Sequence, residues 1–290
     1  MILRVLEITV PVFAVILVAY AYGRWRPVDM GPANRLNLAL FVPALIFYAL
    51  SEQTAGGAVL VNAALASTVI VLGSGALAWL LCRWLGQDLR SLVPAAMFNN
   101  CGNMGLPLVT LTFGQQALPI GIVFLIVTTL LQFTLGLLIV SGRLDWRVLI
   151  TNPLLLATLA GLLALGLDWH APAMLLPAIK MLGDVAIPLM LTALGIRLAE
   201  GGLSQWRDGL LGGLLTPLTG LIVAAPLIWL FDPEPPLAAA ILLYAALPPA
   251  VMNYVLAEQY GHRPQTSASI VAAGHVLAVL IMPAVLFVVL

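Results

Sequence analysis

Asn99-Asn100-Cys101-Gly102-Asn103-Met104-Gly105-Leu106-Pro107 places three carboxamides, two glycines and a proline inside an otherwise apolar, membrane-length segment. The ring of Pro107 cannot donate to, and displaces, the carbonyl of Asn103 four residues earlier. Gly102 and Gly105 loosen the same turns. Free backbone dipoles therefore stand beside polar side chains at bilayer depth. Irregular backbone persists there only when it is buried in protein or lines a wet cavity, so the segment reads as a broken helix at a solute site.

The rest of the chain supplies the membrane. Of its 290 residues 62% are hydrophobic and only 8% charged, with a mean hydropathy of +1.09; charged residues make up about a quarter of a soluble domain. The expected fold class is an all-α polytopic membrane protein. The first apolar run, from about Val5 to Tyr22, lacks a small-residue cleavage site and is followed by many similar runs, so it reads as a retained span. With a net charge of zero, no nucleic-acid partner is expected. Cys82 and Cys101 fall within or at the edge of apolar runs and are expected to be reduced packing residues.

Apolar runs between the Gly, Pro and charged breaks give ten spans: 5–22, 35–51, 58–82, 93–113, 116–141, 148–167, 173–196, 209–231, 237–260 and 265–289. The cations alternate with them. Odd-numbered loops hold Arg24, Arg26, Arg35, Arg83, Arg90, Arg143, Arg147, Arg197, Arg207 and Arg263, whereas the even-numbered loops hold none. The positive-inside bias puts the odd loops in the cytoplasm and both termini outside.

Ten spans divide into five and five, residues 1–145 and 146–290, and an odd number per half forces opposite orientations. Val42-Pro43 and Ile187-Pro188 lie 145 residues apart, half the chain length. The two most disrupted spans are the fourth and the ninth, which carries Leu247-Pro248-Pro249-Ala250-Val251-Met252-Asn253. Interrupted spans at corresponding positions of inverted halves point to a carrier's binding site. The structural alternative is that the prolines kink these helices for packing alone.

The Asn-rich Gly-Leu-Pro segment, the Leu-Pro-Pro segment, the ten spans and the Gly183-to-Gly195 stretch with Pro188 together resemble the auxin efflux carrier family over the whole chain. That resemblance implies a scaffold and a transport domain, each drawn from both halves, with spans 4 and 9 unwinding and crossing at the midplane as in the bile-acid:sodium symporters. It also implies small organic anions as substrates, auxin in plants and dicarboxylates in bacteria. The long cytoplasmic loop of many plant members is missing, so the resemblance implies a bacterial-type carrier, expected in the bacterial inner membrane.

The residues allow their own reading of the chemistry. Asn99, Asn103 and Pro107 are spaced i, i+4, i+8, and Asn253 follows Pro249 by four. Each carboxamide offers two N–H donors without a fixed charge, so an anion can be held together with half-helix N-termini and still be released. Asn99, Asn100, Asn103, Asn253 and Gln132 of span 5 are the candidate binding residues, with Gly102, Gly105, Pro107, Pro248 and Pro249 forming the break. The alternative is that the asparagines only satisfy carbonyls that the prolines free. Lys180 and Asp184 are expected near mid-depth on one face of span 7, where an ionised carboxylate costs about 2.5–3.5 kcal/mol unless paired or wet. Asp184, Lys180 and the mid-span His275 are the candidates for coupling to a proton gradient.

Enzyme signatures are missing: no H-E-x-x-H, nucleophile elbow or Walker loop occurs, and the histidines are scattered at 170, 262 and 275. No cofactor or metal is expected, only a proton or sodium gradient. The expected function is a secondary carrier of a small mono- or dicarboxylate, exporting or exchanging it by alternating access. A sodium-coupled symporter, a channel and a non-transporting scaffold remain the alternatives. An aliphatic face away from the site would let two protomers pair as a homodimer.

Overall fold

A computed structural model describes residues 1–53, 56–144, 146–201 and 204–290. Helices α1 (Ile2–Trp25), α2 (Gly31–Ser51) and α3 (Gly57–Leu85) lead into two short helices, α4 (Leu89–Met97) and α5 (Leu106–Phe113), and then α6 (Gln115–Ser141). The chain continues through α7 (Pro153–Gly166), α8 (Leu176–Glu200), α9 (Trp206–Phe231), the short α10 (Pro235–Ala245) and α11 (Val251–Gln259), and α12 (Pro264–Val289). Helices α1, α2, α3, α6, α8, α9 and α12 are each long and apolar enough to cross a membrane. No strand occurs among the described residues, which pair in extended form only at an isolated antiparallel bridge between Asn99 and Pro249. The expected half-boundary at Asp145 lies outside the described residues.

Helix starts follow from the prolines. In α2, α7, α8, α10 and α12 a proline stands in the first two positions, where its missing N–H would have had no intrahelical partner. This shortens the sixth expected span, 148–167. Asn152 accepts a hydrogen bond from Leu154 N–H at 2.9 Å, and Pro153 follows it, so α7 begins there. Its 14 residues rise only about 21 Å.

Two groups of helices pack mainly among themselves. One is α1, α2, α7 and α8; the other is α3, α4, α6, α9, α10, α11 and α12. Hydrocarbon gives helices no hydrophobic reason to associate, so close backbone approach over small residues does the work. Gly195 of α8 seats against Ala19 and the Ile16 carbonyl of α1, and Gly183 of α8 meets the backbone of Leu45 in α2. In the second group Gly213 of α9 and Gly274 of α12 face each other; a methyl group on Gly213 would collide with the Gly274 backbone, and one on Gly274 with the Pro249 ring. Outward faces carry exposed Leu156, Leu159, Leu163, Val276 and Leu280, as lipid contact requires. The protein is an integral membrane protein.

Candidate functional site

Backbone and side chains lock the two broken segments together. The N–H of Asn100 donates to the Pro248 carbonyl at 2.7 Å and that of Ala250 to the Phe98 carbonyl at 2.8 Å. Asn99 Nδ2 donates to the Tyr244 carbonyl at 2.6 Å, and Asn253 Nδ2 to the Phe98 carbonyl at 2.9 Å. Each broken segment thus uses an asparagine to satisfy a carbonyl of the other. The break itself lies further upstream than Pro107 suggests. Helix α4 ends at Met97 and the chain is extended through Phe98 and Asn99, whereas Pro107 directly follows the π-helical turn Cys101–Gly105 in one continuous helical run. The i, i+4 face of Asn99 and Asn103 therefore does not form. Gly105 serves close approach, since a Cβ there would come within 2.9 Å of Leu247 on the other segment. Pro249 packs on Gly274 of α12.

A cavity of about 500 Å³ lies beside this crossover. Asn99, Asn100, Gly102, Asn103 and Gln132 line it, together with Asn37 and Met190 from the other helix group, and it extends to Asp29, Asn152 and Glu200. Its wall includes the N-terminus of α11 (Ala250, Val251, Met252) and that of the π-helical turn Cys101–Gly105 leading into α5. Helix α11 has no side-chain cap, and its first N–H groups precede any intrahelical acceptor. Two positive half-helix ends thus meet one cavity.

The five carboxamides divide by what they hold. Asn103 is half-buried on the wall, and its side chain makes no hydrogen bond among the described residues. Asn100 accepts from Asn103 N–H at 3.2 Å and presents Nδ2 to His275 Nε2 at 2.8 Å. Asn99 is tied through its nitrogen, but its buried oxygen has no partner among the described residues. Gln132 donates to Asn253 Oδ1 at 2.9 Å. Asn253 is occupied at both ends and does not line the cavity, so it braces the crossover.

His275 is buried against Asn100, and its Nδ1 faces the Val271 carbonyl at 2.8 Å. That carbonyl only accepts, so Nδ1 carries the hydrogen and Nε2 accepts from Asn100. Lys180 and Asp184 are placed elsewhere. They form a 2.7 Å ion pair with both side chains at least half exposed, on the half of α8 that does not reach the cavity. The crossover gathers Asn99, Asn100, Asn103, Asn253, Gln132 and His275; it does not gather Lys180 or Asp184. Both cysteines are buried free thiols.

Sequence reasoning passed over two residues. Asn37 opens a π-helical turn, Asn37–Phe41, one of three such turns that start on or beside the cavity wall; the others are Cys101–Gly105 and Gln132–Gly136. Its signal was a lone asparagine in an apolar run just before Val42-Pro43. Arg197 of α8 also lines the cavity, paired with Glu200 at 3.1 Å and, across to α11, with Glu258 at 3.6 Å and the Tyr254 ring at 4.3 Å. Further out, His262 reaches Asp88 at 3.0 Å, and Ser91 also donates to that carboxylate. Partial burial works to raise the Asp88 pKa, but the Ser91 and His262 hydrogen bonds and the charges of His262 and Arg263 outweigh it and hold the group below its ordinary value.

A sequence profile described as membrane transport protein matches residues 4–145 and 139–286, nearly the whole chain. No curated protein matches the chain. The crossover, the cavity beside it and this match agree: the chain belongs to the membrane transport protein family, that of the auxin efflux carriers.

Proposed function

We propose that the protein is a ten-span secondary carrier of a small organic anion, a mono- or dicarboxylate, working by alternating access at the crossover of two broken helices in inverted halves. The observation that carries this reading is the pair of half-helix N-termini and uncharged carboxamides on one cavity wall. Asn103, Gln132 and the N–H groups of Gly102, Val251 and Met252 would hold the carboxylate. Asn99, Asn100 and Asn253 would keep the two segments in register.

Contacts between loops support ten spans. His170 lies 3.9 Å from Glu52, joining the second and sixth loops, and His262 pairs with Asp88, joining the third and ninth. Even loops meet even and odd meet odd, as a strict alternation demands. Asp29, Asn152 and Glu200 belong to odd loops or helix ends beside them, so the cavity opens to the arginine-rich side. Under the positive-inside rule that side is cytoplasmic, both termini are outside, and the state is inward-facing. The helix group α1, α2, α7 and α8 would be the scaffold, and the exposed Lys180–Asp184 pair on it would be covered by a second copy in a homodimer.

His275 is the coupling group this geometry favours. A proton on Nε2 would face Asn100 Nδ2, so the amide would have to turn and withdraw its oxygen from Asn103 N–H. Protonation would thereby reach the binding wall through one side chain. Counterflow of labelled carboxylates in proteoliposomes tests the whole reading. Saturable exchange is expected; non-saturating flux would make the protein a channel, and no flux across a broad acid panel a scaffold.

A further inference from the structure

An ion pair crosses the seam between the two helix groups at its arginine-rich end. Arg197 of α8 reaches Glu258 of α11 at 3.6 Å and lies over the Tyr254 ring at 4.3 Å, while the Tyr254 hydroxyl donates to the Glu258 carboxylate. Glu200, one turn along α8, meets the same guanidinium at 3.1 Å and anchors it to its own group. Lys180–Asp184 and His170–Glu52, by contrast, stay within the first group, and His262–Asp88 within the second.

Helices α8 and α11 pack little against each other. Open space flanks the tie on both sides: the 500 Å³ cavity at the crossover and a second of about 190 Å³ beside α12, with Arg197, Glu200 and Val251 in the walls of both. Side chains, rather than close helix packing, therefore span this part of the seam. Any motion of one group against the other must break the contacts of Arg197 with Glu258 and Tyr254, and it spares the pairs that lie within a group.

Resting on the alternating-access reading above, we infer that Arg197, Tyr254 and Glu258 form a latch between the two helix groups, which favours the inward-facing state and opens once in each cycle. Arg197 is a positioning residue: it sets the balance between the two facing states and leaves the substrate to the crossover. A half-exposed ion pair and a cation–π contact are each weak, as suits a contact broken at every turnover; together they shift the balance by about fivefold.

The test reads that balance without a substrate. Val255 of α11 lines the crossover cavity. In full-length protein in proteoliposomes, with Cys82 and Cys101 replaced by alanine, Val255→Cys is labelled with a membrane-impermeant maleimide from each face in turn. The ratio of cytoplasmic to external labelling rates follows the ratio of the two facing populations. In Arg197→Gln and in Glu258→Gln it should fall about fivefold, and in the double variant no further than in either alone, because the two residues act as one contact. Arg197→Lys, which keeps the charge, should fall less, and Lys180→Gln should not change. Should a Gln variant fail to insert, Tyr254→Leu removes the stack and the hydroxyl and should lower the ratio in the same direction. An unchanged ratio in these variants, or an equal fall in Lys180→Gln, overturns the latch and leaves alternating access standing. Labelling from one face alone in the parent and in every variant removes the alternating-access reading itself, and the latch with it.

Discussion

The crossover and the outer half of α8 treat polar groups in opposite ways. At the crossover Asn99, Asn100, Asn253, Gln132 and His275 are all buried, all uncharged in the hydrogen-bonding pattern they adopt, and joined across segments more than a hundred residues apart. On α8, Lys180 and Asp184 are ion-pair partners four residues apart, and both side chains are at least half exposed. A charge buried without a partner costs far more than a neutral amide, so the interior handles polarity with carboxamides and leaves ion pairs to the periphery. In the proposed carrier an anion would meet donors and helix ends at the crossover, while Arg197 on the same cavity is engaged by Glu200 and Glu258.

The largest expected effect comes from cutting the crossover's brace. Asn253→Ala leaves the Gln132 amide without its acceptor and removes the bond to the Phe98 carbonyl, each worth about 1–3 kcal/mol when buried. Exchange should fall about 100-fold, with the protein still inserted, as counterflow and size-exclusion profiles would show. Asn103→Ala, by contrast, removes a side chain that holds nothing in the protein. It should weaken binding about tenfold without lowering unliganded thermal stability. If both variants behave alike, the division between brace and binding residue is wrong.

A sharper version of the comparison concerns pH. His275→Gln keeps an acceptor for Asn100 but cannot titrate, so counterflow should persist while uptake driven by an imposed pH gradient is lost. Asp184→Asn should alter gradient-driven uptake by less than about twofold, because the pair does not reach the cavity. The reverse outcome would move coupling to the periphery. The smallest effect is expected at Asp88. Its pKa is held down in the folded protein, so its contribution to stability is present above the ordinary aspartate range and lost as pH falls through the lowered value. Thermal unfolding of Asp88→Asn should therefore differ slightly from the parent near neutral pH and converge with it in acid.

Much of this was legible in the chain itself, because the bilayer is a severe solvent. Apolar runs had to be helices, arginine alternation had to follow the loops, and asparagine beside glycine and proline in an apolar segment had to mark broken backbone. That chemistry named Asn99, Asn100, Asn103, Gln132 and His275, and the same segments carried the family resemblance. Tertiary structure alone decided what each of them does. Pro107 looked like the breaker because it removes a hydrogen bond wherever it stands, but the chain before it stays helical through a π-helical turn, and the extended break formed at Phe98–Asn100, where the other segment supplies backbone partners. Asn253 and Asn103 look equivalent in sequence; pairing over 121 and 155 residues makes the first a brace, while the second is left facing the cavity. Asn37 carried only the weak signal of an asparagine in an apolar run before Val42-Pro43; folding is what sets it on the cavity wall at the start of a π-helical turn. Local sequence determines where the backbone must fail in hydrocarbon; which groups then repair it, and which are left for a ligand, depends on contacts between distant parts of the chain.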